Sequence, residues 1–323
     1  MKLAFILDQL DSIKIDKDSS FAMMCEAAAR GHQLFVMQQG DLVWKDKLMT
    51  GFSRKLTLTN QKDQKKGWYQ YQEGLAKAIP LQEFDAVLMR KDPPFDVEYV
   101  YSTYLLELAE QQGAFVVNNP RSIRDHNEKL AIAKFDRFIP PTLVTRQELL
   151  IREFLDEHED IVLKPLDGMG GASVFRVHST DHNISVILEM LTHYSTRTIM
   201  AQRFLPEISQ GDKRILLIAG EPVPFALARK PKPGETRGNL AAGGIGIAQP
   251  LSERDHEIAN ALGPQLYKQG LMLVGLDVIG DSLTEINVTS PTGMQEITNQ
   301  TGFNVAGMMI DALERCVRDR FNG

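Results

Sequence analysis

The hydrophobic pattern at the N-terminus predicts a strand, a helix and a second strand. Leu3–Leu7 is an uninterrupted apolar run of the kind found in buried strands, and Leu34–Met37 is another. Between them, Ser19 or Ser20 can cap a helix that ends at Gly31. A βαβ opening of this kind is typical of an α/β domain with a parallel sheet.

The same alternation of strand and helix continues and marks an edge where a ligand would bind. Ala86–Met89 and Ala114–Asn118 have the pattern of buried strands, with a helical pattern between them. In open α/β sheets, ligands bind beyond the carboxyl ends of the strands. Asp8, Arg90 and Lys91 follow strand ends and are therefore candidates for ligand contacts. A solvated turn at Arg90 and Lys91 is an equally good interpretation of position alone.

A glycine-rich hairpin is predicted at the centre of the chain. The apolar run Ile161–Leu163 leads into Lys164, a glycine-rich turn follows at 165–173, and Val174–Val177 resumes a β-type pattern. Glycines let backbone N–H groups approach a phosphate closely, and Lys164 adds a positive charge. Walker and dinucleotide-binding loops lead into a helix, whereas a strand follows here, so neither motif fits. The alternative is a flexible turn without a ligand.

A second hairpin carries acidic and amide side chains. Its apolar strands are Leu271–Ile279 and Leu283–Val288. Glu285 and Asn287 are two residues apart and point to one face, and a three-residue turn would set Asp277 opposite Glu285 on that face. A two-residue turn would direct Asp277 away. Three oxygen-bearing side chains suit Mg²⁺ shared with nucleotide phosphates, and the lack of His and Cys argues against zinc. An exposed polar sheet face is the alternative.

The segment Pro231–Gly246 contains five glycines and shows no periodicity. A loop of this length inside a compact domain is usually an active-site lid or a disordered segment. It has too little apolar surface to offset the entropy of ordering it, about 1–2 kcal/mol per residue. We therefore expect it to be mobile without substrate and to close when Arg237 pairs with a bound carboxylate or phosphate.

Composition and charge exclude several classes of protein. The chain has 323 residues, 43% hydrophobic and 24% charged, which suits a folded protein of two or three domains. A net charge of −6 gives no basic surface for nucleic acid. No apolar run approaches the roughly 20 residues of a membrane span, and Asp8 comes too early for a signal peptide. We therefore expect a cytoplasmic protein that binds neither nucleic acid nor membranes.

Several uninterrupted blocks together resemble the bacterial glutathione synthetases of the ATP-grasp superfamily. They are MRKDPPF (89–95), NEKL (127–130), LKPLDGMGGASVFRV (163–177), MAQRFLPEI (200–208), GDKR (211–214), GETRGNLAAGG (234–244) and GLDVIGDSLTEINVTSPTG (275–293). The resemblance implies an α/β protein with the ATP-grasp fold. It implies an N-terminal Rossmann-like, pre-ATP-grasp domain over residues 1–122 and a central ATP-grasp lid subdomain over 123–203. A C-terminal subdomain with the metal and substrate site would span 204–323.

The resemblance also implies roles for individual residues. The residues implied to bind ATP are Lys129, Lys164, Gly168, Gly170, Gly171, Gln202, Arg203, Phe204, Leu205 and Asp212, of which 202–205 meet the adenine and Asp212 meets the ribose. The implied metal ligands are Asp277, Glu285 and Asn287. The implied substrate contacts are Arg90, Arg214, Arg237, Ser290, Pro291 and Thr292. The residues implied to act in catalysis are Lys164, Arg214 and Arg237.

The reaction implied by the resemblance is the ligation of glycine to γ-glutamylcysteine. ATP phosphorylates the cysteinyl carboxylate, and the glycine amine attacks the acyl phosphate to give glutathione, ADP and phosphate. The implied cofactors are ATP and Mg²⁺, with Mn²⁺ as an alternative cation, and the implied state is a homo-oligomer. The alternative is another ATP-grasp carboxylate–amine ligase with a different acceptor. A nucleotide-binding regulatory module without turnover should have lost a metal ligand or a lysine, and none is missing.

Overall fold

A computed structural model describes residues 1–59, 67–72, 74–91, 93–168, 170–232 and 244–322. The strands among these residues form three sheets that follow one another along the chain. Apolar clusters fill the space between the sheets and their helices. None of the helices in the described ranges has the length and apolar character needed to cross a membrane.

The first sheet has a parallel centre with an antiparallel extension. Its strands are β1 (Lys2–Ile6), β2 (Gln33–Met37), β3 (Leu42–Lys45), β4 (Leu48–Leu58), β5 (Tyr69–Tyr71), β6 (Lys77–Pro80), β7 (Ala86–Met89) and β8 (Val116–Val117). The order is β3-β4-β2-β1-β7-β8, and β5 and β6 also pair with β4. The neighbours β2, β1, β7 and β8 are parallel, whereas β4 is antiparallel to β2. The parallel centre confirms the α/β opening predicted from the apolar runs.

Helices cover both faces of this sheet. The first three are α1 (Ser19–Ala29), α2 (Val97–Gln111) and α3 (Pro120–Arg124). Leu3 and Phe5 of β1 belong to the apolar cluster of α1, and Ala4 and Ile6 belong to that of α2. Successive residues of a strand point to opposite faces, so an uninterrupted apolar strand such as β1 is buried on both sides.

The cap of α1 differs from the prediction. Asp18 caps the helix by accepting a hydrogen bond from the Phe21 amide at 2.7 Å, whereas the sequence suggested Ser19 or Ser20. Both serines are buried instead. Ser20 Oγ accepts a hydrogen bond from Arg90 Nε at 3.1 Å, so this serine connects α1 to the end of β7.

The second sheet contains the predicted glycine-rich hairpin. Its strands are β9 (Thr142–Thr145), β10 (Asp160–Pro165), β11 (Phe175–His178) and β12 (Ile199–Arg203), in the antiparallel order β11-β10-β12-β9. Its helices are α4 (Glu148–His158) and α5 (Ile184–Thr192). Both helices pack on the side of Ile161 and Leu163. The alternate residues Val162 and Lys164 therefore face the opposite side, where they line a cleft.

The third sheet is antiparallel and carries the acidic hairpin. Its strands are β13 (Asp212–Ile218), β14 (Glu221–Lys230), β15 (Ile245–Pro250), β16 (Leu273–Ile279) and β17 (Ser282–Asn287), in the order β15-β14-β13-β16-β17. The helix α6 (Glu253–Lys268) packs against it and begins with a capping box of Ser252 and Asp255. Lys230 pairs with Ile245, so the two ends of the predicted lid leave from neighbouring strands.

Three connections join the sheets into one framework. A 3₁₀ helix, Leu130–Phe138, leads from the first sheet to the second, and α7 (Met294–Thr301) and α8 (Val305–Asn322) return from the third sheet to pack with α1. Asn118, at the end of β8, is buried and exchanges hydrogen bonds of 2.7–2.9 Å with Leu273 N and O and with Val288 O. These bonds fasten the first sheet to the acidic hairpin of the third.

Candidate active site

A cleft of about 520 Å³ lies between the second and third sheets. The predicted ATP and metal residues that line it are Lys129, Lys164, Gly168, Gly170, Gly171, Gln202, Arg203, Phe204, Leu205, Asp212, Asp277, Glu285 and Asn287. The predicted substrate residues that line it are Arg214, Ser290 and Thr292. The fold therefore brings into one cleft side chains from β10, β12, β13, β16 and β17 that lie far apart in sequence.

Lys129 enters the cleft from the start of the 3₁₀ helix. Asn127 Oδ1 accepts hydrogen bonds from the amides of Lys129 at 3.1 Å and Leu130 at 2.9 Å, which holds the chain where the helix begins. Lys129 Nζ donates to the Gly168 carbonyl at 2.6 Å and to Glu128, and it lies 3.6 Å from Glu285 Oε1. Burial lowers the pKa of Lys129, but the carboxylates of Glu285 and Glu128 outweigh burial and hold the pKa above its ordinary value. Lys129 is therefore a permanent positive charge in the cleft.

Lys164 lies near the end of β10, on the cleft side of the sheet. Its Nζ donates to Gln202 Oε1 at 2.7 Å, and Gln202 Nε2 donates in turn to Thr142 Oγ1 at 3.0 Å. Burial lowers the pKa of Lys164, and the charge of Glu285 opposes this shift. An anion bound beside Lys164 would favour its charged form further.

The turn between β10 and β11 needs glycine for two different reasons. A Cβ on Gly168 would approach Pro165 Cγ to 2.6 Å, so a side chain is excluded by crowding. Gly170 and Gly171 have φ values of +61° and +78°, which residues with a side chain rarely adopt. A Cβ on Gly170 would meet no other atom within 4 Å, so that position is open to an approaching ligand.

An aromatic and a cationic side chain stack at the end of β12. The Arg176 guanidinium lies 3.6 Å from the centroid of the Phe204 ring and pairs with Asp160 at 2.6 Å. The Phe204 amide donates to the Asp160 carbonyl at 2.9 Å, which fixes the connecting segment 202–205 along the cleft. A flat stack of this kind offers a surface on which an aromatic base can lie.

The acidic hairpin reaches the predicted arrangement by a different route. A two-residue turn joins β16 to β17, so the predicted three-residue turn is wrong. A β-bulge at Thr284 then shifts the register, and Asp277 pairs with Glu285 as predicted. The Thr284 hydroxyl donates to the Asp277 carbonyl at 3.1 Å and holds the bulge. Without the extra residue, Glu285 would stand opposite Leu276 and turn toward the apolar core.

Two arginines surround Asp277. The Arg214 guanidinium donates to both carboxylate oxygens of Asp277, from Nε at 2.8 Å and from Nη2 at 2.7 Å, and Arg229 Nη2 lies 2.9 Å away. Burial alone would raise the pKa of Asp277, but the two guanidinium groups outweigh it and hold the pKa well below its ordinary value. Asp277 is thus ionised across the physiological range.

Asp212 and Asp277 both contact Arg229, but the pKa of Asp212 is raised whereas that of Asp277 is lowered. Burial raises the pKa of Asp212 to about 6; Arg229, which contacts its Oδ2, opposes the rise, and the charges of Asp277 and Glu285 add to it. The other oxygen, Oδ1, is buried and has no hydrogen-bond partner in the described part of the chain. The carboxyl group of Asp212 therefore takes up a proton more readily than an ordinary aspartate.

The predicted metal ligands provide hard oxygen donors on one face of the hairpin. Asn287 Nδ2 donates a hydrogen bond to the Gly275 carbonyl at 3.3 Å, so the side-chain amide oxygen of Asn287 is available as a ligand for a cation. Over the described ranges, no group of three or more His, Cys, Asp and Glu side chains is arranged to hold a metal by itself. Mg²⁺ usually takes one or two carboxylates from a protein and completes its shell with phosphates and water. Two carboxylates and one amide oxygen, from Asp277, Glu285 and Asn287, fit that pattern.

Arg90 contacts the segment that carries the predicted substrate residues. Its Nη2 donates to the Pro291 carbonyl at 2.9 Å and its Nη1 to the Thr289 carbonyl at 3.4 Å, while Ser290 Oγ donates to the Arg90 carbonyl at 3.2 Å. In the described structure, Arg90 and Pro291 are not part of the cleft wall, although Ser290 and Thr292 are. Arg90 therefore holds the segment in position, and its predicted contact with a ligand stays a prediction.

Most of the predicted lid, including Arg237, lies outside the described residues. The structure describes Pro231 and Lys232 at one end and the chain from Gly244 onward at the other. The predicted movement of the loop and the predicted role of Arg237 stay predictions.

Arg229 is a cleft residue that was not predicted from the sequence. It is buried and contacts both Asp212 and Asp277. The available signal was its place in β14 after the apolar run Phe225–Ala228, because a charged side chain in a buried strand requires an acidic partner. Further cleft residues that were not predicted are Glu128, Val162, Arg176, Ile208, Leu227, Thr284 and Thr289.

Comparison with solved structures defines the class of fold. The structure matches that of a D-cycloserine synthetase with a TM-score of 0.69 and 14% identity, over 98% of this chain and 99% of the other. It matches the ATP-grasp ligase PsnB with a TM-score of 0.62 and 17% identity, over 98% of this chain and 99% of the other. The chain therefore has the ATP-grasp fold.

Comparison of sequences defines the family within that class. Residues 1–124 match the N-terminal domain of prokaryotic glutathione synthetase, and residues 128–302 match its ATP-grasp domain. The chain is 73% identical to a glutathione synthetase of Nitrosomonas europaea, over 98% of each chain. It is 59% identical to that of Ralstonia nicotianae, over 98% of this chain and 96% of the other. The chain belongs to the prokaryotic glutathione synthetase family.

Proposed function

We propose that this chain catalyses the ATP-dependent ligation of glycine to γ-glutamylcysteine, forming glutathione, ADP and phosphate. The observation that carries the proposal is the 73% identity to a glutathione synthetase over nearly the full length of both chains. The cleft supports it as well, because it combines two lysines, a glycine-rich turn and an acidic hairpin. Phosphoryl transfer depends on positioning and charge neutralisation, which are what such groups supply.

The reaction has two steps. In the first, an oxygen of the cysteinyl carboxylate forms a bond to the γ-phosphorus of ATP, and ADP leaves with the electrons of the broken bond. In the second, the glycine amine, after losing a proton, attacks the acyl carbon, and phosphate leaves. We assign Lys129 and Lys164 to the phosphates, with the backbone of Gly168, Gly170 and Gly171 around them. Positive charge and N–H groups fixed in advance stabilise the charge that spreads over the phosphoryl oxygens.

Mg²⁺ is part of this proposal, with Mn²⁺ as the alternative cation. We assign Asp277, Glu285 and Asn287 as the residues that hold it. A divalent cation in such a site neutralises charge on the transferring phosphoryl group. Support comes from the oxygen donors on one face of the hairpin and from Lys129 Nζ at 3.6 Å from Glu285, which keeps the cation and lysine sites adjacent.

The nucleotide and the peptide are assigned to opposite parts of the cleft. We assign the adenine to Gln202, Arg203, Phe204 and Leu205 and the ribose to Asp212. We assign the peptide substrate to Arg90, Arg214, Arg237, Ser290, Pro291 and Thr292. Lys164, Arg214 and Arg237 are proposed to act in catalysis. The stack of Arg176 on Phe204 supports the adenine assignment, and the bonds of Arg90 to the backbone of 289–291 support a role in forming the peptide site.

The division of the chain into residues 1–122, 123–203 and 204–323 is also proposed. The strands of the three sheets fall within these ranges. The packing of α8 on α1 ties the end of the third range to the first. The proposal includes a homo-oligomeric state, which the resemblance to the family implies, and a cytoplasmic location, which the composition of the sequence predicts.

Phosphate release with a panel of acceptors tests the proposed function. We expect release to require ATP, Mg²⁺, γ-glutamylcysteine and glycine together, and the product to be glutathione by mass spectrometry. Omitting each component in turn supplies the controls. Equal release with alanine or serine in place of glycine would overturn the assignment of the acceptor, and release without γ-glutamylcysteine would overturn that of the peptide.

A further inference from the structure

The carboxylate of Glu296, at the start of α7, is buried and has no partner from another residue in the part of the chain that the structure describes. Both oxygens of Glu296 are inaccessible to solvent, and neither accepts a hydrogen bond from another described residue; only the amide of Glu296 itself acts on the carboxylate. Burying a charged group without a partner is costly, and carboxylates in proteins are usually paired or left in water. An acid in the first turn of a helix stabilises the helix dipole, but an exposed side chain achieves this without the cost of burial.

Glu296 follows the cleft-lining segment closely along the chain. The segment 289–292 forms part of the cleft wall, and α7 begins directly after it, with Gly293 as the N-cap and Glu296 in the first turn. Gln295 donates to the carbonyls of Ile15 and Asp18 at 2.5 Å and 2.8 Å, so the loop before α1 closes over this turn. The carboxylate of Glu296 lies one helical turn after Thr292, and both of its oxygens are shielded from solvent.

The positive charges around Glu296 do not fully balance its carboxylate. Burial raises the pKa of Glu296; its own amide and the charges of Lys17 and Arg214 oppose this rise, and Asp16 adds to it. Arg214 is already bound to both oxygens of Asp277. Lys17 is exposed and acts on Glu296 only through its charge. The positive charges nearby therefore offset the burial of Glu296 only in part.

The other carboxylates of the cleft are already paired with basic side chains. Asp212 and Asp277 contact Arg229, and Glu128 and Glu285 lie at Lys129. Glu296, by contrast, has no basic side chain in contact with its carboxylate oxygens among the described residues. A substrate that carries an ammonium group would find its complement there.

We infer that Glu296 receives a primary ammonium group of the substrates. This inference rests on the proposed function, in which two such groups enter the cleft: the α-ammonium of the γ-glutamyl residue and the ammonium of glycine. Glu296 lies one helical turn after Thr292 and feels the charge of Arg214, and both of these residues are assigned to the peptide, which favours the γ-glutamyl group. Glu296 is then a specificity-determining residue that distinguishes the dipeptide from acyl analogues without the amine.

A comparison of two peptides tests this inference. The kcat/KM for γ-glutamylcysteine and for N-glutarylcysteine, which lacks only the α-ammonium group, is measured in the wild type and in Glu296→Gln. We expect the wild type to prefer γ-glutamylcysteine by roughly 10- to 100-fold, the usual effect of a hydrogen bond to a charged group. Glu296→Gln should lose most of this preference and keep its KM for glycine.

The matched control is Glu253→Gln, which changes an exposed glutamate in the first turn of another helix. This variant should keep the preference of the wild type. Thermal unfolding without substrates supplies an independent measurement. We expect Glu296→Gln to be at least as stable as the wild type, because an unpaired buried charge has been removed. A residue that acts only in folding would show the reverse, with lower stability and an unchanged preference.

The possible results distinguish the ammonium group of the peptide from that of glycine. They also distinguish a failure of the role inferred for Glu296 from a failure of the proposed function. A raised KM for glycine with an unchanged peptide preference would assign Glu296 to the glycine ammonium and would support the shared chemistry. Unchanged peptide preference and unchanged KM for glycine in Glu296→Gln would overturn the inference, and so would a wild type that does not distinguish the two peptides. If the wild type makes no glutathione, the proposed function itself fails.

Discussion

The buried Arg229 gives a direct test of how the charges of the cleft are balanced. Arg229→Met would remove the guanidinium that contacts Asp212 and Asp277 while keeping an apolar side chain of similar length. Asp277 would keep both hydrogen bonds from Arg214, so little destabilisation should arise there. Asp212 would lose the cation that contacts it and would remain buried.

The loss of unfolding free energy in Arg229→Met depends on whether Asp212 is protonated. Removing one partner of a buried ion pair typically costs about 3–5 kcal/mol, because an uncompensated charge remains. Asp212 can limit this cost by taking up a proton, since its pKa is already raised to about 6. Protonating such a group at pH 8 costs roughly 1.4 kcal/mol per pH unit above its pKa. We therefore expect a loss of about 2–3 kcal/mol at pH 8 and about 1 kcal/mol at pH 5.5.

The raised pKa of Asp212 also sets the direction in which stability changes with pH. A carboxyl group whose pKa is raised in the folded protein favours folding most below its unfolded pKa, and that contribution is lost as the pH rises through the folded value, about 6. Without Arg229 the pKa of Asp212 rises further. The folded variant then holds its proton to higher pH, so its stability falls more steeply between pH 5.5 and pH 8.

Urea unfolding at pH 5.5 and pH 8 is the assay, applied to the wild type, Arg229→Met and the double variant with Asp212→Asn. Asp212→Asn removes the carboxylate that has lost its cation and should restore at least ~1 kcal/mol of unfolding free energy at pH 8. The control is Arg176→Met, which breaks a partly exposed ion pair with Asp160 and should cost under about 1 kcal/mol at both pH values. Equal losses for Arg229→Met at both pH values, or no recovery in the double variant, would show that Asp212 does not carry the unbalanced charge.

Three further predictions concern the metal site, the junction of the sheets and the glycine-rich turn. Glu285→Gln should lower turnover by at least ~2 kcal/mol of transition-state stabilisation, because a charged ligand is lost; wild-type turnover at limiting Mg²⁺ would contradict the metal assignment. Asn118→Ala should lower the unfolding free energy by about 2–4 kcal/mol, because three buried hydrogen bonds are lost, and an unchanged thermal midpoint would contradict this. Gly168→Ala should weaken ATP binding measured by calorimetry, because the added Cβ would displace Pro165. An ATP affinity equal to that of the wild type would contradict this prediction.

Local elements and most of the chemistry could be predicted from the amino-acid sequence. Uninterrupted apolar runs identified β1 and β7, because a strand buried on both faces has no polar alternate positions. The glycine-rich hairpin and the capping box of α6 were also predictable, since turn and cap residues act on neighbours within a few positions. Long uninterrupted blocks then indicated the family and, through it, the residues of the cleft.

Tertiary structure alone decided how distant charges pair and which side chains remain unpaired. The pairing of Arg229 with Asp212 and Asp277 depends on the register of three neighbouring strands. The face of Glu285 depends on a bulge at Thr284 that no local pattern marks. Glu296 resembles an ordinary first-turn acid until the loop before α1 packs over it. Hydrophobic periodicity records only which face of an element is buried, whereas these contacts are set by packing between elements that are distant along the chain.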